Sequence, residues 1–228
     1  MAANRPLRIV FALGLCGAIA LFALYVGRVV PLPSGGFVPR SFVTHSVMLA
    51  LSLGLIWIMS RGLPALYGLT RGTYRFRPTI LLWALPVAAL SLPAALGAGR
   101  GEGTGAMGDF GRLQGVIFVW IYASVSEEVL TRGLLQTLLS VGPSGGARRA
   151  RFSMPVVLSA LFFGAMHVVL FESMGPAAVP VIAMVTLLGF VAAHYRETTG
   201  SLIPAVVVHA LFNVGGMLPI WIAHWLRG

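Results

Sequence analysis

Apolar residues run along this chain in long blocks, without the strict alternation of a half-buried strand. A helix that crosses a membrane needs about 20 mostly apolar residues. Seven blocks meet or approach that length: 7–30, 42–60, 79–97, 113–140, 153–171, 177–194 and 202–226. The last contains Gly215-Gly216 and Pro219, so it reads as one long helix or two short ones. The pattern predicts an all-α, polytopic transmembrane helix bundle of about seven to eight spans, a single membrane domain over residues 1–228.

Composition supports this reading. The chain is 57% hydrophobic and only 10% charged, whereas a soluble domain carries about 25% charged residues. All 16 basic residues are arginine, and the formal net charge is +10. Such a surplus raises the question of nucleic acid. Here the arginines fall between apolar blocks, and no basic patch interleaved with aromatics stands outside them. The expected surround is therefore a lipid bilayer, with no nucleic acid partner.

The arginines also orient the bundle. With the N-terminus inside, ten lie on inner segments (Arg5, Arg8, Arg61, Arg71, Arg75, Arg77, Arg148, Arg149, Arg151, Arg196). Five lie outside (Arg28, Arg40, Arg100, Arg112, Arg227). The positive-inside rule then predicts a cytoplasmic N-terminus and an outer C-terminus. The first block is too long for a signal peptide and is read as a retained span. Cys16 is the single cysteine, so there is neither a disulfide framework nor a cysteine zinc site.

Three polar motifs interrupt the apolar blocks: Glu127-Glu128-Val129-Leu130-Thr131-Arg132, Phe163-Gly164-Ala165-Met166-His167, and His209-Ala210-Leu211-Phe212-Asn213. A charge at hydrocarbon depth costs on the order of 2.5–3.5 kcal/mol on insertion scales, so such residues point to function. Glu128 and Arg132 are spaced to share a helix face and pair. Glu127 is rotated by about 100° and can face elsewhere. Phe163 is spaced to pack on the His167 ring. Asn213 is spaced to orient His209 or to hold a water beside it.

Taken singly, each motif also has a plain structural reading: an ion pair, a packed histidine, an interhelical hydrogen bond. Taken together, they place a glutamate, two histidines and an asparagine on three helices. If these converge, a glutamate can deprotonate a water while the histidines polarise a carbonyl or bind its oxyanion. Two histidines and a glutamate also form a zinc set, so metal-bound and metal-free water both fit, although no HExxH helix is present. His45 shows no evident partner in sequence. His194 and His224 read as interfacial, and Trp221 and Trp225 as belt residues.

The ordered set Glu-Glu-x-x-x-Arg, Phe-x-x-x-His and His-x-x-x-Asn resembles the CPBP family. That family includes CAAX prenyl-protein endopeptidases and the bacterial Abi proteins linked to bacteriocin immunity. The stretch Tyr195-Arg196-Glu197-Thr198-Thr199-Gly200-Ser201-Leu202-Ile203-Pro204 is similar to the family's lead-in to the last motif. The resemblance covers roughly 114–216. It makes 113–216 the catalytic core and leaves 1–112 as N-terminal spans without motifs.

The resemblance implies an intramembrane endopeptidase. Glu127 then matches the glutamate that activates water, and Glu128 and Arg132 match supporting positions. His167, His209 and Asn213 match the residues that shape the water and oxyanion site. The family has been described both as metallo- and as glutamate-type; the expectation here is glutamate-type, with no required metal. The implied substrate is a membrane-anchored protein or peptide, with C-terminal anchor removal as one form. The all-arginine composition points to a bacterial inner membrane. The alternatives are a non-enzymatic immunity or scaffold protein and, with less support, a proton-coupled transporter using Glu127, His167 and His209 as a relay.

Overall fold

A computed structural model describes residues 5–33, 36–97, 111–140 and 153–227; the side chains of residues 90, 92–97, 224 and 227 are not described. The fold is all-helical, with no strand among the described residues. In chain order the main helices are α1 (Arg5–Val29), α2 (Arg40–Ser60), α3 (Ala84–Gly97), α4 (Arg112–Ser140), α5 (Met154–Met166), α6 (Ala178–Thr199) and α7 (Ile203–Arg227). Among the described residues, five helical runs are long and apolar enough to cross a membrane, including a 46-residue run, Met154–Thr199.

That long run is not straight. It tightens into 3-10 geometry at His167–Leu170 and turns at Gly175, whose φ of 54° suits a residue without Cβ. α6 then packs along α5. The block at 79–97 differs from a plain span: it opens with a 3-10 segment, Pro78–Trp83, before α3 begins. The Gly-rich stretch around Glu102 and Asp109, and the arginines at 148, 149 and 151, lie outside the described residues.

The block at 202–226 resolves as one helix, because its interruptions serve packing. Pro219 has no N–H to give the carbonyl four residues earlier, which is that of Gly215. Ser91 Oγ of α3 donates to this carbonyl at 3.0 Å. The bare Cα of Gly215 permits the approach, since a Cβ there would meet the backbone of Ala84. Ser91→Ala is therefore expected to orphan that carbonyl and lower stability by about 1–3 kcal/mol, read as a reduced thermal midpoint in detergent.

Two apolar clusters flank α4. One gathers Cys16, Ile19, Met48, Ile56, Leu130, Leu134 and neighbours from α1, α2 and α4. The other gathers Phe163, Val185, Leu188 and Val208 from α5, α6 and α7. Large apolar side chains also cover the outside, among them Phe22, Trp57, Ile58, Ile121 and Leu187. Such a surface suits hydrocarbon rather than water. Trp221 stacks on Trp120 of α4 at 5.2 Å. Trp225 and His194 are exposed, and the His224 side chain lies outside the described residues.

Candidate active site

α4 carries the two glutamates near its middle and is not a regular α-helix. Wide π-type turns run over Gly115–Ala123 and Val129–Leu135, with Ser124–Glu128 between them. Such turns shift the phase of the side chains that follow and recur at functional sites. Glu127 and Glu128 are adjacent in the regular stretch, about 100° apart around the helix, and serve two different sets of partners.

Glu128 is fully buried and sits 3.2 Å from Arg132 Nη1, itself fully buried. Arg132 also donates to Thr131 Oγ1 and, through Nη2, to the Gly189 carbonyl at 2.9 Å. Its guanidinium lies 4.4 Å above the Phe163 ring, an arrangement favoured by the ring quadrupole. One arginine thus ties α4 to α5 and α6. A Cβ on Gly189 would stand 3.2 Å from Arg132 Nη2 and 3.0 Å from Ala160 Cα. Gly189→Ala is expected to push α6 off α5, lowering stability by about 1–3 kcal/mol, measured by thermal unfolding in detergent.

His209 Nδ1 lies 2.9 Å from Glu128 Oε1. The carboxylate accepts, so Nδ1 carries the hydrogen, and Nε2 points the other way. That Nε2 lies 3.8 Å from Glu127 Oε2. His167 sits where α5 tightens, and its Nδ1 donates to the Phe163 carbonyl at 2.9 Å. Its Nε2 lies 3.9 Å from the same Glu127 oxygen. Both separations exceed hydrogen-bond length. Phe163, fully buried, meets both imidazoles edge-on at 4.9 and 5.3 Å and holds their planes. Glu127 Oε2 is buried without a hydrogen-bond partner among the described residues.

The other oxygen of Glu127 has a partner that sequence reasoning overlooked. His45 Nε2 of α2 lies 2.9 Å from Glu127 Oε1, and His45 Nδ1 lies 2.6 Å from the Ser41 carbonyl. The absence of an evident partner for His45 is therefore corrected. The contact spans 82 positions of sequence, beyond any helical spacing rule. The available signal was the residue itself, an ionisable side chain within an apolar helix.

Asn213 does not orient His209. Its amide donates to the Val119 carbonyl at 3.0 Å and to Ser124 Oγ at 3.2 Å. It braces α7 against the first π stretch of α4, and the Nδ1 of His209 is set by Glu128 instead. The structure thus brings Glu127, Glu128, Arg132, His167 and His209 together, adds His45, and places Asn213 on the α4–α7 contact.

Residues 110–215 match the family model for type II CAAX prenyl endopeptidase, Rce1-like. This segment belongs to the CAAX-protease family. No curated protein and no solved structure matches the chain. The CAAX-protease segment holds all three polar motifs but not His45. The apolar helices and the matched segment together support an integral membrane protein that carries a segment of a peptidase family.

A CAAX protease could in principle carry zinc. Tetrahedral zinc with bonds of about 2.0–2.1 Å places its ligand atoms about 3.3 Å apart. The imidazole nitrogens stand 3.8 and 3.9 Å from Glu127 Oε2. Among the described residues no three His, Cys, Asp or Glu side chains are gathered closely enough to hold a metal ion. The arrangement as it stands does not fit a zinc shell.

Proposed function

We propose that this chain is an intramembrane endopeptidase. It hydrolyses a peptide bond in or near a membrane-embedded segment of a protein substrate, using water activated by Glu127. The observation that carries the reading is the buried, unpartnered Oε2 of Glu127, faced by the Nε2 atoms of His167 and His209. An acceptor oxygen and two imidazole nitrogens around one small volume suit a water and a polarised carbonyl. The side chains of Glu127, His45 and His167 remain 13%, 16% and 22% exposed, which leaves a way in for substrate.

In this reading Oε2 takes one proton from the water as its oxygen bonds to the carbonyl carbon. Negative charge builds on the carbonyl oxygen, where Nε2–H of a protonated His167 or His209 stabilises it. The proton on Glu127 then passes to the amide nitrogen as the C–N bond breaks. Glu128 and Arg132 hold His209 in place, and Asn213 holds α7, as positioning residues.

We further infer a bacterial inner-membrane location with a cytoplasmic N-terminus, supported by the arginine distribution. Removal of a C-terminal membrane anchor is a natural use of such a site. The test compares protein termini across the host proteome in three strains: deletion, wild-type complement and Glu127→Gln complement. New C-termini that depend on Glu127 support the protease and name its substrates. Identical termini, with a phenotype restored equally by both complements, would favour the immunity or scaffold reading.

A further inference from the structure

The N-terminal spans carry no recognised motif, yet they deliver a side chain to the centre of the site. His45 lies outside the segment matched by the family model and is 2.9 Å from Glu127 Oε1. Its place is built rather than incidental. Ser46 Oγ and Tyr122 OH are 2.8 Å apart, and Phe42 packs on Tyr122 and Phe118 at 5.0 and 5.4 Å. These contacts clamp the start of α2 to α4.

Hydrogen-bond roles then fix the proton count. The Ser41 carbonyl can only accept, so His45 Nδ1 carries a hydrogen. A 2.9 Å approach of Nε2 to a carboxyl oxygen requires a second hydrogen in that gap. The pair therefore holds one proton more than a neutral imidazole beside a carboxylate. The other ionisable groups near Glu127 are placed elsewhere: His167 and His209 face Oε2, while Glu128 and Arg132 pair with each other. Tyr122 turns its hydroxyl to Ser46.

We propose that His45 is a positioning residue that occupies Oε1 of Glu127 and thereby commits Oε2 as the sole base. The inference rests on the peptidase reading given above. During hydrolysis the proton between His45 and Oε1 stays in place. The proton taken from water travels only through Oε2 to the leaving nitrogen. Without His45 the carboxyl group can rotate and present either oxygen in several orientations, so fewer encounters are productive. Substrate binding is expected to change little, because both hydrogen-bonding atoms of His45 are engaged by Glu127 and by the Ser41 carbonyl of its own helix.

The test uses the full chain in lipid nanodiscs, with the substrate segment found by the termini comparison. His45→Met, similar in bulk but without a donor, is expected to lower kcat by about 10–100-fold, the cost typical of losing a group that orients an active residue. KM should stay within about twofold, the signature of a step lost after binding. His45→Gln places an amide donor where Nε2 stood and should recover most of the lost rate. Wild-type kcat in a folded His45→Met would overturn the proposal, as would a loss carried entirely by KM. If Glu127→Gln cleaves as well as wild type, Glu127 is not the base and that part of the peptidase reading fails instead; if neither wild type nor any variant cleaves, the peptidase reading itself fails. A readout independent of activity is the nitrogen NMR signal of His45 in labelled protein. It should shift in Glu127→Gln, and an unchanged Nε2 signal would overturn the pairing itself.

Discussion

Glu127→Gln is expected to reduce kcat by at least about 10³-fold, within the range attributed to a well-placed general base, with little change in KM. Glutamine keeps the shape of the side chain and can still accept a hydrogen bond from His45. What it loses is the ability to take a proton at Oε2, the atom that faces both imidazole nitrogens. The variant should fold, because glutamine keeps the volume of the side chain and His45 can release the extra proton once the carboxylate is gone. Cleavage of a defined substrate in nanodiscs, together with a thermal midpoint, separates the two effects. Normal cleavage by the variant would remove Glu127 from the role of base.

Arg132→Met should produce the largest loss of stability in the molecule. Arg132 and Glu128 are both fully buried, so removing the cation leaves a carboxylate deep inside the bundle. Breaking a buried pair on one side costs about 3–5 kcal/mol. For a chain of this length that lowers the thermal midpoint by about 10 °C or more. The loss also severs the bond to Gly189 and the contact with Phe163. Arg132→Lys restores the charge but not the planar fork, and should fall between wild type and Arg132→Met. The double variant Glu128→Gln with Arg132→Met should recover part of the stability, because no lone charge remains. It should not recover activity, because His209 then loses the carboxylate that fixes its tautomer. A double variant no more stable than Arg132→Met would show that the pair is not what holds this region.

Interactions between residues one helical turn apart were legible in sequence. Glu128 and Arg132 pair as their spacing predicts, and Phe163 packs against His167 for the same reason. The same rule misled at the third motif. His209 and Asn213 share a helix, but each finds a stronger partner on α4: Glu128 for the first, Val119 and Ser124 for the second. A neighbouring helix offers a carboxylate and a carbonyl at better geometry than the next turn of the same helix. The π turns of α4 have no clear composition signature.

The chain's apolar blocks determined by themselves that it is an all-helical membrane protein, because a bilayer tolerates only backbones that satisfy their own hydrogen bonds. The costly charges at 127, 128 and 132 marked the candidate site, and the ordered motifs pointed to the family that residues 110–215 match. Tertiary structure alone decided which oxygen of Glu127 is held and which is free. It also decided that His45 belongs to the site and that the Gly215–Pro219 stretch joins helices rather than breaking one. These depend on pairs of atoms brought together across 82 positions in one case and 124 in the other. Contacts of that kind are set by how helices lie against each other, which the period of a single helix does not encode.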